Sequence, residues 1–182
     1  MVFVDPAALP DLALVPSTAL VEPHLSAWTA AHPFDPGPDP LRFASVVLVD
    51  PRGWILLQER DEHPRIDPEK WGLAGGHVDP GEDFVSAAHR ELEEETGVRL
   101  PRGALHLFEE FVVDHRDANG TWDLAQVFVA ATELTDADID CREGRQIVFV
   151  DPHVARGLDL TSAATDIVPA FLDSPLYASM AP

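Results

Sequence analysis

The sequence predicts an α/β domain in which helices pack on a mixed sheet, and three observations predict it. Hydrophobic residues make up 46% of 182 residues, enough for one domain with a real core. Stretches of strand periodicity are interspersed with stretches of helical periodicity. Turn signals join some neighbouring strands as hairpins, which argues against a purely parallel, doubly wound sheet.

The elements follow in order. Asp-Pro pairs such as Asp50-Pro51, Asp67-Pro68, Asp79-Pro80 and Asp151-Pro152 punctuate the chain, because both residues favour turn initiation. Glu22 to His32 reads as one short helix, with Pro23 in its first turn and Leu25 and Trp28 along one side. Proline-rich residues 33–40 then read as a linker, so residues 1–40 form an N-terminal helical appendage and residues 41–182 the main domain. Phe43 to Val49 and Trp54 to Glu59 read as strands joined by the turn Asp50-Pro51-Arg52-Gly53. Phe84 to Thr96 reads as a helix with Asp83 as N-cap and Gly97 just past its end. Leu105 to Val113 and Trp122 to Ala131 are strands separated by a loop with the turn signal Asn119-Gly120. Ile147 to Val150 is a further strand, and Ala163 to Leu172 a last helix capped near Thr161 or Ser162.

Twelve basic and 32 acidic residues give a formal charge of -20. Nucleic-acid polymers are bound largely by Lys and Arg neutralising phosphates, so this balance disfavours them as partners. An anionic ligand must then be small and arrive with cations; alternatively the acidity serves only solubility. No apolar run approaches the roughly 20 residues of a membrane span. The first sixteen residues contain Asp5 and Asp11 and no Lys or Arg, unlike the basic start of a signal peptide, so the expected location is cytoplasmic. Cys141 is the single cysteine, which excludes an intrachain disulfide and a thiolate metal site.

The chemistry concentrates on the helix from Phe84 to Thr96. On a helical wheel Phe84, Val85, Ala87, Ala88 and Leu92 form an apolar arc, and Ser86, His89, Arg90 and Glu93 lie opposite. Glu91, Glu94 and Glu95 share one face by their i, i+3 and i+4 spacing, and Glu95 projects within the apolar arc. Like charges about 6 Å apart at an effective dielectric near 20 repel by roughly 3 kcal/mol per pair. The helix C-terminus, where they sit, also disfavours anions. A solvated acidic face accounts for Glu93 but poorly for Glu95. A hard divalent cation with oxygen ligands relieves the repulsion. Ahead of the helix, Trp71 to Glu82 is a glycine-rich strand and loop whose backbone can approach a ligand closely.

The spacing Gly76, Glu82, Arg90-Glu91-Leu92, Glu94-Glu95, Gly97-Val98 resembles the signature of the Nudix hydrolases at every position. The resemblance implies an α/β/α sandwich with a mixed central sheet, and Mg²⁺-dependent hydrolysis (with Mn²⁺ as a substitute) of a phosphoanhydride bond in a nucleoside-diphosphate-linked small molecule. It implies Glu94 and Glu95 as the main carboxylate ligands, with the Gly75 carbonyl adding another. Glu91 would be a second-site ligand or the general base, Arg90 the residue orienting the carboxylates, and Gly76 and Glu82 supports of the cluster. A later acidic ligand is expected at Glu143, with Glu110 and Asp114 as rivals, and Arg60 is a candidate phosphate contact. Ala74 stands where the family commonly has proline, which loosens the loop but removes no ligand. Where ADP-ribose enzymes of the family often carry a proline, this chain has Val113; the only tyrosine is Tyr177, and the coenzyme A signature is missing. The substrates left are (deoxy)nucleoside triphosphates and NDP-sugars; Trp71, Phe111 or Trp122 are candidates for a base pocket, although each reads first as a core residue. The family also implies a homodimer. The rival reading is a non-catalytic nucleotide-binding or regulatory module, against which the intact Glu91, Glu94 and Glu95 weigh. His115-Arg116-Asp117 spells part of a kinase catalytic loop, but no glycine-rich phosphate loop precedes it, and the histidines show no metal-ligand spacing.

Overall fold

The computed structural model describes residues 40–182, so the expected N-terminal helix and nearly all of the appendage lie outside the described residues. The centre of the sheet is β1 (Arg42–Val49). Ala44, Val46 and Leu48 face one layer while Val47 and Val49 face the other, and all five are at most 1% exposed. A strand covered on both faces reads as an unbroken apolar run, as Val46 to Val49 does.

Three strands are set by β1 directly. It runs parallel to β6 (Thr121–Ala131), in continuous register from Arg42↔Leu124 to Val49↔Ala131. Antiparallel β4 (Ala74–His77) pairs with it from Phe43↔His77 to Val46↔Ala74. The expected hairpin to β2 (Ile55–Glu59) closes at Val49↔Ile55. Trp54 precedes that strand instead of opening it: its N–H donates to the Asp50 side chain at 2.9 Å and its ring lies 4.0 Å from the Arg52 guanidinium. β2 in turn carries β3 (Trp71–Gly72) and β7 (Gln146–Val150), both antiparallel. The long strand β5 (His106–His115) pairs antiparallel with β6, outermost on that side of the sheet.

Helices cover both faces. On one side α1 (Phe84–Thr96) packs Phe84, Ala87, Ala88 and Leu92 against Ala44, Val46 and Leu48. Asp83 caps it by accepting from Ser86 N–H at 2.7 Å, and Gly97 ends it in the left-handed conformation at φ 72°. Val85, expected in the apolar arc, is 37% exposed, because the core contacts α1 over a narrower stripe than the wheel allows. Other side chains cover the opposite face: α4 (Ser162–Leu172) packs Ile167, Val168 and Phe171 against Val47, Val49, Val127 and Val129. Thr161 is its N-cap, accepting from Ala164 N–H at 3.2 Å. The result is the expected α/β/α sandwich.

Shorter elements escape the periodicity. The Asn119-Gly120 signal closes a single helical turn, α2 (Arg116–Asn119), with Gly120 at φ 78°, rather than a tight hairpin. A 3₁₀ turn (Asp136–Asp138), α3 (Pro152–Ala155) and α5 (Pro175–Met180) are one or two turns each. No helix among the described residues is long and apolar enough to cross a membrane.

Candidate active site

Two glycines in β4 bring the backbone up to α1. Gly75 has φ 147°, and a Cβ there would lie 2.2 Å from the Ala44 carbonyl oxygen, so only glycine fits. Its N–H donates to Glu95 Oε2 at 3.1 Å, which ties the sheet to the helix at the carboxylate. At Gly76 a Cβ would stand 2.5 Å from Glu91 Oε1, so the missing side chain is the space the Glu91 carboxylate occupies.

Glu95 is 5% exposed. Burial pushes its carboxyl up to about 8, and the nearby charges of Glu143 and Glu91 add to that, while the Gly75 N–H and Arg60 oppose it. Burial also raises Glu91, against the opposing pull of Arg90. Glu94 is the outermost of the three, its side chain 60% exposed. The wheel placed Arg90 on the solvent side, yet its side chain is only 28% exposed and folds back over the loop. Its Nη1 donates to Glu91 Oε1 at 2.7 Å and Glu94 Oε2 at 3.2 Å, and its Nη2 to the His77 carbonyl and Glu82 Oε2, each at 2.9 Å. Nε completes the fork at 3.2 Å from Glu82 Oε1. Those bonds hold the Glu82 carboxyl below the usual carboxylate range. Glu82 also accepts from the Asp79 N–H at 3.1 Å and so pins the loop ahead of the helix.

Glu143 comes from the loop before β7, where its carbonyl accepts from Gln58 Nε2 at 3.2 Å. With Glu91, Glu95, Gly75 and Arg60 it lines one end of a cleft of about 510 Å³. The rivals are engaged elsewhere. Glu110 accepts from Gln126 across the β5–β6 pair at 3.0 Å, and Asp114 is held by Arg116, which brings its carboxyl down to about 2. Arg60 follows β2, and its Nε is buried without a hydrogen-bond partner among the described residues. A buried guanidinium N–H left open is costly unless an acceptor arrives.

Among the described residues, no three His, Cys, Asp or Glu side chains converge tightly enough to hold a cation as they stand. Arg90 takes one oxygen of Glu91 and one of Glu94. The donor set is nonetheless all oxygen, anionic and partly desolvated, which is the chemistry a hard divalent cation requires.

The core reading of the candidate aromatics agrees with the packing of two of them: Trp71 and Phe111 lie against the core on the α4 side of the sheet. Trp71, Phe111 and Trp122 do not line the cleft, and Arg116 lies 4.4 Å from the Trp122 ring. Phe43, Val113, His115 and Ala125 form the floor away from the carboxylates. His115, set aside in the sequence as part of a chance kinase echo, therefore belongs to the cleft. The signal that finds it is alternation: Val113 and His115 in β5 share a face with Asp123 and Thr121 in β6.

A glycine loop delivering an acidic helix to a mixed sheet defines the class. The chain belongs to the Nudix hydrolase family: the NUDIX domain model of that family matches residues 40–171. It is 39% identical over 59 residues to the m7GpppN-mRNA hydrolase NUDT17 of Bos taurus, a match covering 32% of this chain and 20% of the relative's length. It is 27% identical over 121 residues to the nucleoside triphosphatase NudI of an Enterobacter species, covering 64% of this chain and 86% of that one. Among solved structures it is similar to a MutT NUDIX hydrolase from Burkholderia pseudomallei, with a TM-score of 0.58 and 26% identity, over 75% of this chain and 98% of that one.

Proposed function

We propose that the protein hydrolyses a phosphoanhydride bond in a small nucleotide, a (deoxy)nucleoside triphosphate or an NDP-sugar, with Mg²⁺ bound at the α1 carboxylates. The observation that carries this reading is Glu95, a buried carboxylate raised to about 8 beside two further acidic side chains and a glycine backbone. Glu91, Glu94, Glu95 and Glu143 would hold the cation, together with the Gly75 carbonyl. Mg²⁺, or Mn²⁺ in its place, would supply charge neutralisation at phosphoryl oxygens and an acidified water.

The remaining work falls to the chain. Glu91, half-buried and resting against Gly76, would take a proton from the attacking water. Arg90 fixes the orientation of Glu91 and Glu94 through its fork. The open Nε of Arg60 is the donor for a phosphate oxygen. The overall charge of -20 favours a small substrate over a polymer.

The test is a panel of nucleotides incubated with Mg²⁺, with products resolved as monophosphate, pyrophosphate or orthophosphate. At least one nucleotide should turn over, chelation should abolish turnover, and Glu94→Gln or Glu95→Gln should cut kcat by about 100-fold or more. Rates near wild type in both variants would overturn the assignment.

A further inference from the structure

His115, which lines the cleft, and Asp123, buried behind it, take no part in the chemistry above. Asp123 is 1% exposed on a face of β6 otherwise built from Thr121, Ala125 and Val127. A buried carboxylate survives only when its oxygens are engaged. Here the Thr121 hydroxyl donates to Oδ1 at 2.7 Å, the Leu41 N–H to the same atom at 3.3 Å, and His115 Nδ1 lies 2.6 Å from Oδ2. A carboxylate in its ionised form can only accept, and in that form Nδ1 is the donor of this bond. The imidazole is thereby locked in one orientation and one tautomer. Its Nε2 has no partner among the described residues, and the ring forms part of the cleft lining.

The surroundings specify what that nitrogen could meet. The Phe43 ring stands edge-on to His115 with centroids 6.1 Å apart, and 4.2 Å from the His77 ring. Val113 and Ala125 add an apolar floor. Carbon surfaces around one fixed polar atom suit a planar heteroaromatic ring, whose faces bury against carbon and whose edge carries N–H groups. The carboxylate end of the cleft is adjacent, since Ser45↔Gly75 and Phe43↔His77 belong to the same β1–β4 pairing.

We propose that His115, held by Asp123, determines base specificity: its Nε2 accepts a hydrogen bond from a ring N–H or exocyclic amine of the substrate's nucleobase. Asp123 is the positioning residue. This inference rests on reading the cleft as a nucleotide site, but does not need hydrolysis.

The experiment is calorimetric binding of AMP, GMP, CMP and UMP to the full chain with Mg²⁺, beside pyrophosphate, which has no base. His115→Phe keeps the ring and removes its nitrogens. It should weaken the best-bound monophosphate about tenfold, bring the four affinities together and leave pyrophosphate unchanged. Asp123→Asn can present an N–H to Nδ1, which turns Nε2 into a donor, so the order of preference among the bases should change. A merely structural role would weaken pyrophosphate in parallel. Thermal melting checks that Asp123→Asn is folded, and His115→Phe carries the test if it is not. The inference is overturned if His115→Phe binds all four monophosphates as the wild type does, if it loses nucleotide and pyrophosphate affinity equally, or if the wild type binds no monophosphate. If the monophosphates behave as expected while no nucleotide is cleaved, the specificity assignment stands and only the hydrolytic reading fails.

Discussion

Gly76 and Glu91 occupy one another's space: a β-carbon on the glycine would stand 2.5 Å from the carboxylate oxygen of the glutamate. The atom in the way is the far end of a flexible side chain, so Gly76→Ala displaces Glu91 without breaking the backbone. Activity should fall at least tenfold, with a melting temperature close to wild type. Gly75→Ala is the contrasting case, since its Cβ meets the Ala44 carbonyl at 2.2 Å with φ at 147°. Backbone strain of about 1–3 kcal/mol or more should lower the melting temperature by roughly 5–10 °C. Paired melting curves and rates check both; equal destabilisation by the two substitutions would contradict this account of Gly76.

Glu95 makes the metal-free protein sensitive to pH. Its folded carboxyl is raised from the ordinary 4.5 to about 8, so between those values the folded state holds a proton that the unfolded state has released. Stability therefore falls as pH rises through that window, and the penalty is absent below about pH 4. Urea unfolding in chelator at pH 5, 6.5 and 8 should show this decline, and Glu95→Gln should flatten it. Identical slopes for the two proteins would show that burial of Glu95 does not set the trend.

Arg90 contacts Glu82, Glu91, Glu94 and the His77 carbonyl with one planar group. Lysine keeps the charge and loses the fork. Arg90→Lys should reduce kcat about 10–100-fold, as loss of groups orienting a metal site commonly does. A rate within twofold of wild type would mean that charge alone suffices.

Arg60 lines the cleft, and its buried Nε has no hydrogen-bond partner among the described residues. If it donates to a phosphate, Arg60→Gln should raise KM for the nucleotide about tenfold or more and weaken pyrophosphate binding as well. The His115 substitution should leave pyrophosphate alone, so the two variants separate the ends of the cleft.

The parts of the site that lie close along the chain are legible in the sequence. Glu91, Glu94 and Glu95 fall within about one turn of one helix, so helical geometry alone puts them on one side. The direction of Arg90 was not legible from the wheel, because its side chain is long enough to cross to the loop at Glu82 and His77. Glu143 needed the family resemblance, since the pairing of β7 with β2 carries its loop to the cleft. His115 and Asp123 were hidden for a related reason. Their contact depends on the β5–β6 register, with Val113 opposite Asp123 and His115 opposite Thr121, and a slip of one residue would put them on different faces.

The pairing of β1 with β4 has a further consequence. Gly75 stands opposite Ser45 and His77 opposite Phe43, so the acidic end and the ring end of the cleft are offset by two residues of one strand, about 7 Å. That spacing is set by covalent backbone and ladder hydrogen bonds, which do not stretch. The strand acts as a ruler: a ligand is measured by how far its flat ring stands from its phosphates, and one of the wrong length can satisfy one end or the other but not both together.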